Sequence, residues 1–232
     1  MEYVDYGLEK DEKIDKFISF AVAFQIITLG IKNVLVQGVP ILYANNEKLN
    51  IAILGASLLL YIIAFFKGFK RKVGDSFYGF AIFVVFTLIS TYVFFPQNIS
   101  PLSAIILRLI ICCLFTGYLL SKLNSLNWFK KYMSIGSYAI TVTGLLYAFE
   151  IRAFGHSTTS EWSTYSMSMS IVVMVSVMWQ LHAFFKEKNK TALLFALIGF
   201  TIIFIYGSRN PILAIGTYVL LQLLDTQNKT SS

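Results

Sequence analysis

The sequence predicts an all-α integral membrane protein, a polytopic bundle of about eight transmembrane helices. Three observations predict it. Of the 232 residues, 56% are hydrophobic and only 13% are charged, whereas an ordinary soluble domain is about 25% charged. Mean hydropathy is +0.68, and the apolar residues fall in blocks of transmembrane length. The basic residues gather in alternate short loops, the pattern that orients a polytopic chain.

Taken in order, the first element is a cytoplasmic tail, residues 1–16, "MEYVDYGLEKDEKIDK". It is acidic and mixed in charge, unlike the basic start of a cleavable signal peptide. A polytopic domain over 17–224 follows. Its apolar segments lie at about 17–36, 49–66, 76–95, 102–120, 132–150, 165–185, 191–206 and 211–224. The last two, about 24 and 21 Å long as helices, fall short of a roughly 30 Å hydrocarbon core. They predict a tilted pair, or a hairpin that stops below the outer surface. Residues 151–164 form the longest external loop, and 225–232 a second cytoplasmic tail.

Lys67, Lys70, Arg71 and Lys72 follow the second segment, Lys122, Lys130 and Lys131 the fourth, and Lys186, Lys188 and Lys190 the sixth. The intervening loops carry only Lys48, Arg152 and Arg209, with Lys32 near the outer end of the first segment. This asymmetry places the N-terminus inside. It also accounts for the net charge of +7 without nucleic acid, which is not expected as a partner. Trp128, Tyr132 and Trp162 stand at segment ends as interfacial anchors. Lys32 is expected to snorkel to the outer surface, and His182 to be an interface and packing residue. The only cysteines, Cys112 and Cys113, are adjacent within an apolar run and read as hydrophobes.

Three polar constellations remain in this greasy chain. In "FIYGSRNPILAIG", Asn210 and Pro211 read as N-cap and first residue of the last helix. A helix start binds anions through its free N–H groups and dipole. Arg209 adds a fork suited to phosphate, Ser208 a hydroxyl, and Gly207 the turn. The bland reading is a polar turn with one snorkelling arginine. The second constellation is "AFEIRAFGHSTTSEW", residues 148–162. Glu150, Arg152, His156 and Glu161 there could support acid–base work or sugar binding, or simply be a solvated loop. Glu150 and Arg152 are two apart and would not face each other on a helix. The third is Arg108, roughly 10 Å into the fourth segment from Pro101. An ionisable residue at such depth faces an interior or a cavity, pairing with Glu150 or joining an anion site. Nucleotide-loop, dinucleotide, metalloprotease and CxxC motifs are absent. No metal and no cofactor is expected.

With topology in hand, "GSRNPILAIGTYVLL" resembles the Ser-Arg-Gly-type motif of the bacterial O-antigen polymerase and O-antigen ligase superfamily. There an external Ser-Arg-Gly turn opens an apolar helix. Ser208 and Arg209 match, and Asn210 stands where glycine is usual. About fifty residues upstream, "IRAFGHSTTSEWSTYSMSMSIVVM" is similar to the family's external arginine and glycine-containing stretch, with Arg152 and Gly155 in place but without Pro-Asn. The shared layout covers about residues 130–224.

The resemblance implies metal-independent glycan transfer from undecaprenyl diphosphate at the outer face of the bacterial cell membrane, for O-antigen, capsule or exopolysaccharide. It implies Arg152 and Arg209 as catalytic phosphate clamps, with Ser208, Asn210, Arg108 and Glu150 binding substrate. The partners implied are the lipid-linked glycan, the lipid bilayer and other polysaccharide-assembly membrane proteins. Family members usually continue with a large external loop and more spans, which in ligases carry a histidine base. His156 precedes Arg209 and does not match it. The expectation is thus a truncated form, or a half needing a partner, weak or inactive alone. The alternative is a small transporter or flippase, for which short end segments and Arg108 would suit an anion path. A third reading is a non-enzymatic scaffold.

Overall fold

The computed structural model describes residues 3–94, 110–154, 167–205 and 209–230. They are helical throughout, joined by short turns, and no strand occurs among them. In chain order the helices are α1 (Tyr3–Gly38), α2 (Pro40–Ala44), α3 (Asn46–Lys67) and α4 (Asp75–Phe94). A π-helical turn, Ile110–Phe115, leads directly into α5 (Thr116–Ser121). Then come α6 (Asn127–Phe154), α7 (Met167–Glu187), α8 (Lys190–Ile205) and α9 (Arg209–Thr230). Within the described residues, each predicted apolar segment coincides with helix; residues 95, 102–109, 165–166 and 206 of those segments lie outside them. Among the described residues, three helical stretches are long and apolar enough to cross a membrane: Asp11–Asn33, Asn46–Lys67 and Asp75–Phe94.

Helix ends depart from expectation. The polar N-terminal segment is helical from Tyr3, where α1 begins. Its mixed charges include Glu9–Lys13 and Glu12–Lys16, acid before base at i, i+4, an arrangement that supports a helix. The last helix has 22 residues rather than 14, about 33 Å, because it continues through the polar stretch after Leu224. Helix α6 runs to Phe154, into what was expected to be external loop.

The chain divides into two compact units. The first comprises residues 1–25 and 54–130, the second 26–53 and 131–232. In the first unit, Ile18, Tyr61, Ala64 and Leu119 are fully buried. The Tyr61 hydroxyl donates to Gln25 and lies 2.7 Å from the Thr116 hydroxyl. Around it, Phe65 and Phe115 each stack on Tyr118 and are tilted against one another. Helix α4 buries none of its residues. A helix apolar on every side makes sense in hydrocarbon, where the solvent is itself apolar.

A charged knot closes this unit. Asp15, 4% exposed, accepts from Arg71 and from the backbone N–H groups of Asn124 and Ser125 at 3.2 and 3.0 Å. Arg71 also donates to the Asp11 carboxylate at 3.1 Å and its carbonyl at 2.7 Å. Lys122, equally buried, donates to the carbonyls of Gly68 and Phe69 at 3.1 and 3.3 Å. Those carbonyls follow the C-terminus of α3, where a cation is favoured by the helix dipole. The Tyr118 ring lies 4.7 Å from the same ammonium.

The second unit packs α7 on α8 and α9 around Val173, Val177, Ala196, Ile202, Ile203 and Ile215. Close approach is achieved at glycines. A Cβ on Gly30 would sit 2.9 Å from Ile140, and one on Gly136 or Gly199 would overlap Ile27 or Val177. Small residues at helix contacts serve the same end in membranes, where packing replaces the hydrophobic drive. A neutral polar seam joins α6 and α7. The Ser176 hydroxyl donates to the Ser137 carbonyl at 2.6 Å and meets Thr141 at 2.9 Å. The Gln180 amide donates to Ser137 and Thr141 at 3.2 and 3.0 Å. The tight turn between α7 and α8 uses Lys188 at φ 57°. The Asn189 side chain then caps α8, accepting from Thr191 and Ala192 at 3.0 and 3.2 Å.

Candidate functional site

The expected site residues divide into those that the described structure positions and those that it does not. Arg209 is the first residue of α9 and is exposed, as is Asn210, while Pro211 is buried. The helix therefore starts earlier than "NP" suggested. Asn210 lies within the first turn rather than capping it. Pro211 still fits, because first-turn N–H groups have no intrahelical partner to lose. Ser208, Arg108 and the stretch from Gly155 through His156 to Glu161 lie outside the described residues. So does the expected pairing of Arg108 with Glu150. Glu150 and Arg152 fall in the last turns of α6, their backbones about 200° apart around the helix.

Helix directions bring Arg152 and Arg209 to one end of the second unit. The bonds Ser134–Trp179, at 3.2 Å, and Thr141–Ser176, at 2.9 Å, make α6 and α7 antiparallel. The contacts His182–Tyr218, at 3.2 Å, and Lys186–Asp225, at 3.0 Å, make α7 and α9 parallel. The C-terminus of α6 and the N-terminus of α9 therefore share an end. Depths differ, however. Counting along the helices from these levels, Arg209 starts roughly 10–15 Å nearer the middle of the unit than Arg152.

The structure also corrects and adds. Lys32 does not snorkel outward. It is 9% exposed and donates to the side chains of Asn46 and Asn50 at 2.8 and 2.7 Å. The i, i+4 spacing of the two asparagines places them on one face of α3, a signal that sequence reading passed over. His182 contacts Trp179 as well as Tyr218, so it is a packing residue between helices. Trp128, expected as an interfacial anchor, donates to Glu12 at 3.1 Å and lies beneath Lys16. Cys113 is free and exposed. No group of three histidines, cysteines or carboxylates able to hold a metal occurs among the described residues.

Chemically, an exposed guanidinium at a helix start offers charge and a bidentate fork beside free N–H groups. That suits a phosphoryl group. Comparison of the sequence with models of known protein families, with curated proteins and with solved structures finds no match.

Proposed function

We propose that the chain is a multi-pass protein of the bacterial cytoplasmic membrane that polymerises undecaprenyl-diphosphate-linked repeat units at the outer face. The observation that carries this reading is Arg209, exposed at the start of α9 and sharing an end of its unit with the α6 terminus that holds Arg152. Loop charge supports the orientation. Lys67 to Lys72, Lys122 to Lys131 and Lys186 to Lys190 face the cytoplasm, and the arginine end faces outward. Resemblance of "GSRNPILAIGTYVLL" to the O-antigen polymerase and ligase motif supplies the substrate class.

The reaction is glycosyl transfer. An acceptor hydroxyl attacks the anomeric carbon, the bond to the diphosphate breaks, and the leaving diphosphate takes the electron pair. Negative charge on that leaving group grows in the transition state. Donors already aimed at it lower the barrier without reorganising, and one such donor is worth about 2.7–4 kcal/mol in well-studied hydrolytic sites. Arg209 and Arg152 are the donors in this reading. Arg209→Ala is expected to reduce long-chain glycan about 100-fold or more, while membrane insertion stays intact. Arg209→Lys, which keeps charge but loses the fork, recovers part of it. Gel profiles of glycan length from cells carrying each variant test this. Normal-length polymer from both Arg209→Ala and Arg152→Ala would sink the site. Movement of lipid-linked oligosaccharide across proteoliposomes with no change in chain length would favour transport.

A further inference from the structure

The second unit carries a groove that the glycan reading does not use. A cavity of about 170 Å³ opens between α7, α8 and α9, lined by Val177, Leu181, Ala196, Leu197, Phe200 and Val219. Its walls are almost wholly hydrocarbon. A cavity of about 150 Å³ with such walls accommodates benzene and stays dry, so this one has room for a run of methylenes. It offers no hydrogen-bonding group to an extended peptide, whose backbone would then be left unsatisfied. Leu197, one of its lining residues, is 57% exposed.

Basic residues lie beyond the groove along α7. Beyond Leu181 on α7, Lys186 pairs with Asp225 at 3.0 Å, and the chain then turns through Lys188 and Lys190, both exposed. Glu187 is exposed there too and offsets part of the charge. The lysines of this turn still outnumber the carboxylates beside them. Depth matches as well. From Val177 to Lys188 is about 16 Å along the helix, close to half of a roughly 30 Å hydrocarbon core. A lipid whose phosphate lies at Lys188 would bring the lower half of an acyl chain beside Val177.

We infer that this groove is a binding site for an anionic phospholipid, with one acyl chain between α7, α8 and α9 and its phosphate at Lys188 and Lys190. The site rests on the chain lying in a bilayer and is independent of glycan transfer. The test uses the full chain in phosphatidylcholine vesicles containing a phosphatidylglycerol with a mid-chain diazirine. Labelled peptides are mapped after photolysis. Labelling is expected to concentrate on the lining segments of α7, α8 and α9. Excess unlabelled phosphatidylglycerol should reduce it at least fivefold, and excess phosphatidylcholine should not. Val219→Phe, which fills the groove from a half-buried position, should cause a similar loss. Lys188→Gln with Lys190→Gln should leave labelling in place but abolish the headgroup preference. Labelling spread over the apolar helices in proportion to exposure, with α4 as heavily marked as α8, would overturn the inference. So would labelling in the groove that either lipid competes equally.

Discussion

The two units each carry an extended buried polar cluster, and the two clusters are of different kinds. The first ties Asp15 of α1 to Arg71 and Lys122, in the turns after α3 and α5, as a charged knot. The second runs hydroxyls and an amide along the middle of α6 and α7. The difference follows from what each environment can stabilise. Ions are tolerated where backbone N–H groups and loop carbonyls complete their hydrogen bonding, as Asn124, Ser125, Gly68 and Phe69 do here. Within a helix pair, a charge needs side-chain partners instead, as Lys32 finds in Asn46 and Asn50. Small neutral groups can be satisfied by one another, and Ser137, Thr141, Ser176 and Gln180 are each at most 2% exposed. The knot therefore fixes a fold point, while the seam fixes the register of two helices.

Three substitutions break or sharpen this contrast. The largest loss is expected from Arg71→Ala, which leaves Asp15 buried without its cation. Removing one partner of a buried pair costs about 3–5 kcal/mol. Thermal or denaturant unfolding of the purified protein in one detergent reads it, and a loss no larger than that of a seam variant would erase the distinction. Gln180→Leu comes next. It removes the amide donors, but it also removes the Gln180 carbonyl oxygen, which has no partner among the described residues. Interhelical hydrogen bonds in membranes average about 0.6 kcal/mol, so a loss of roughly 0.5–1 kcal/mol is expected. A loss above about 3 kcal/mol would make the seam as critical as the knot. The smallest change is a gain. Lys188→Gly relieves a left-handed backbone and should stabilise the α7–α8 turn by up to about 1 kcal/mol. Destabilisation there would mean that the Lys188 side chain matters to the turn.

Much of the architecture was legible because apolar runs of helical length have few alternatives. Asn46–Lys67 and Asp75–Phe94 match their predicted segments within a few residues. Boundaries were less legible. Helix α1 begins at Tyr3 and α9 ends at Thr230, both inside polar stretches. Hydropathy carries no information there, although at the N-terminal end i, i+4 charge pairs do. The candidate site was half legible. "GSRNP" announced a helix start, and the structure shifted it so that Asn210 lies inside the helix. Nothing in the local sequence could give the depth of Arg209 relative to Arg152, which depends on how α6 and α9 are each registered against α7.

By itself, the sequence determined that this chain is helical, apolar along most of its length and basic in alternate turns. Those properties are local, set by side-chain solubility and by the need to satisfy backbone hydrogen bonds within each segment. Only the tertiary structure decided which polar residues meet: Asp15 with Arg71, Lys32 with Asn46 and Asn50, and Gln180 with Ser137 and Thr141. Those partners lie 14 to 56 residues apart. Their pairing depends on which helix faces pack, and that is a property of the whole unit.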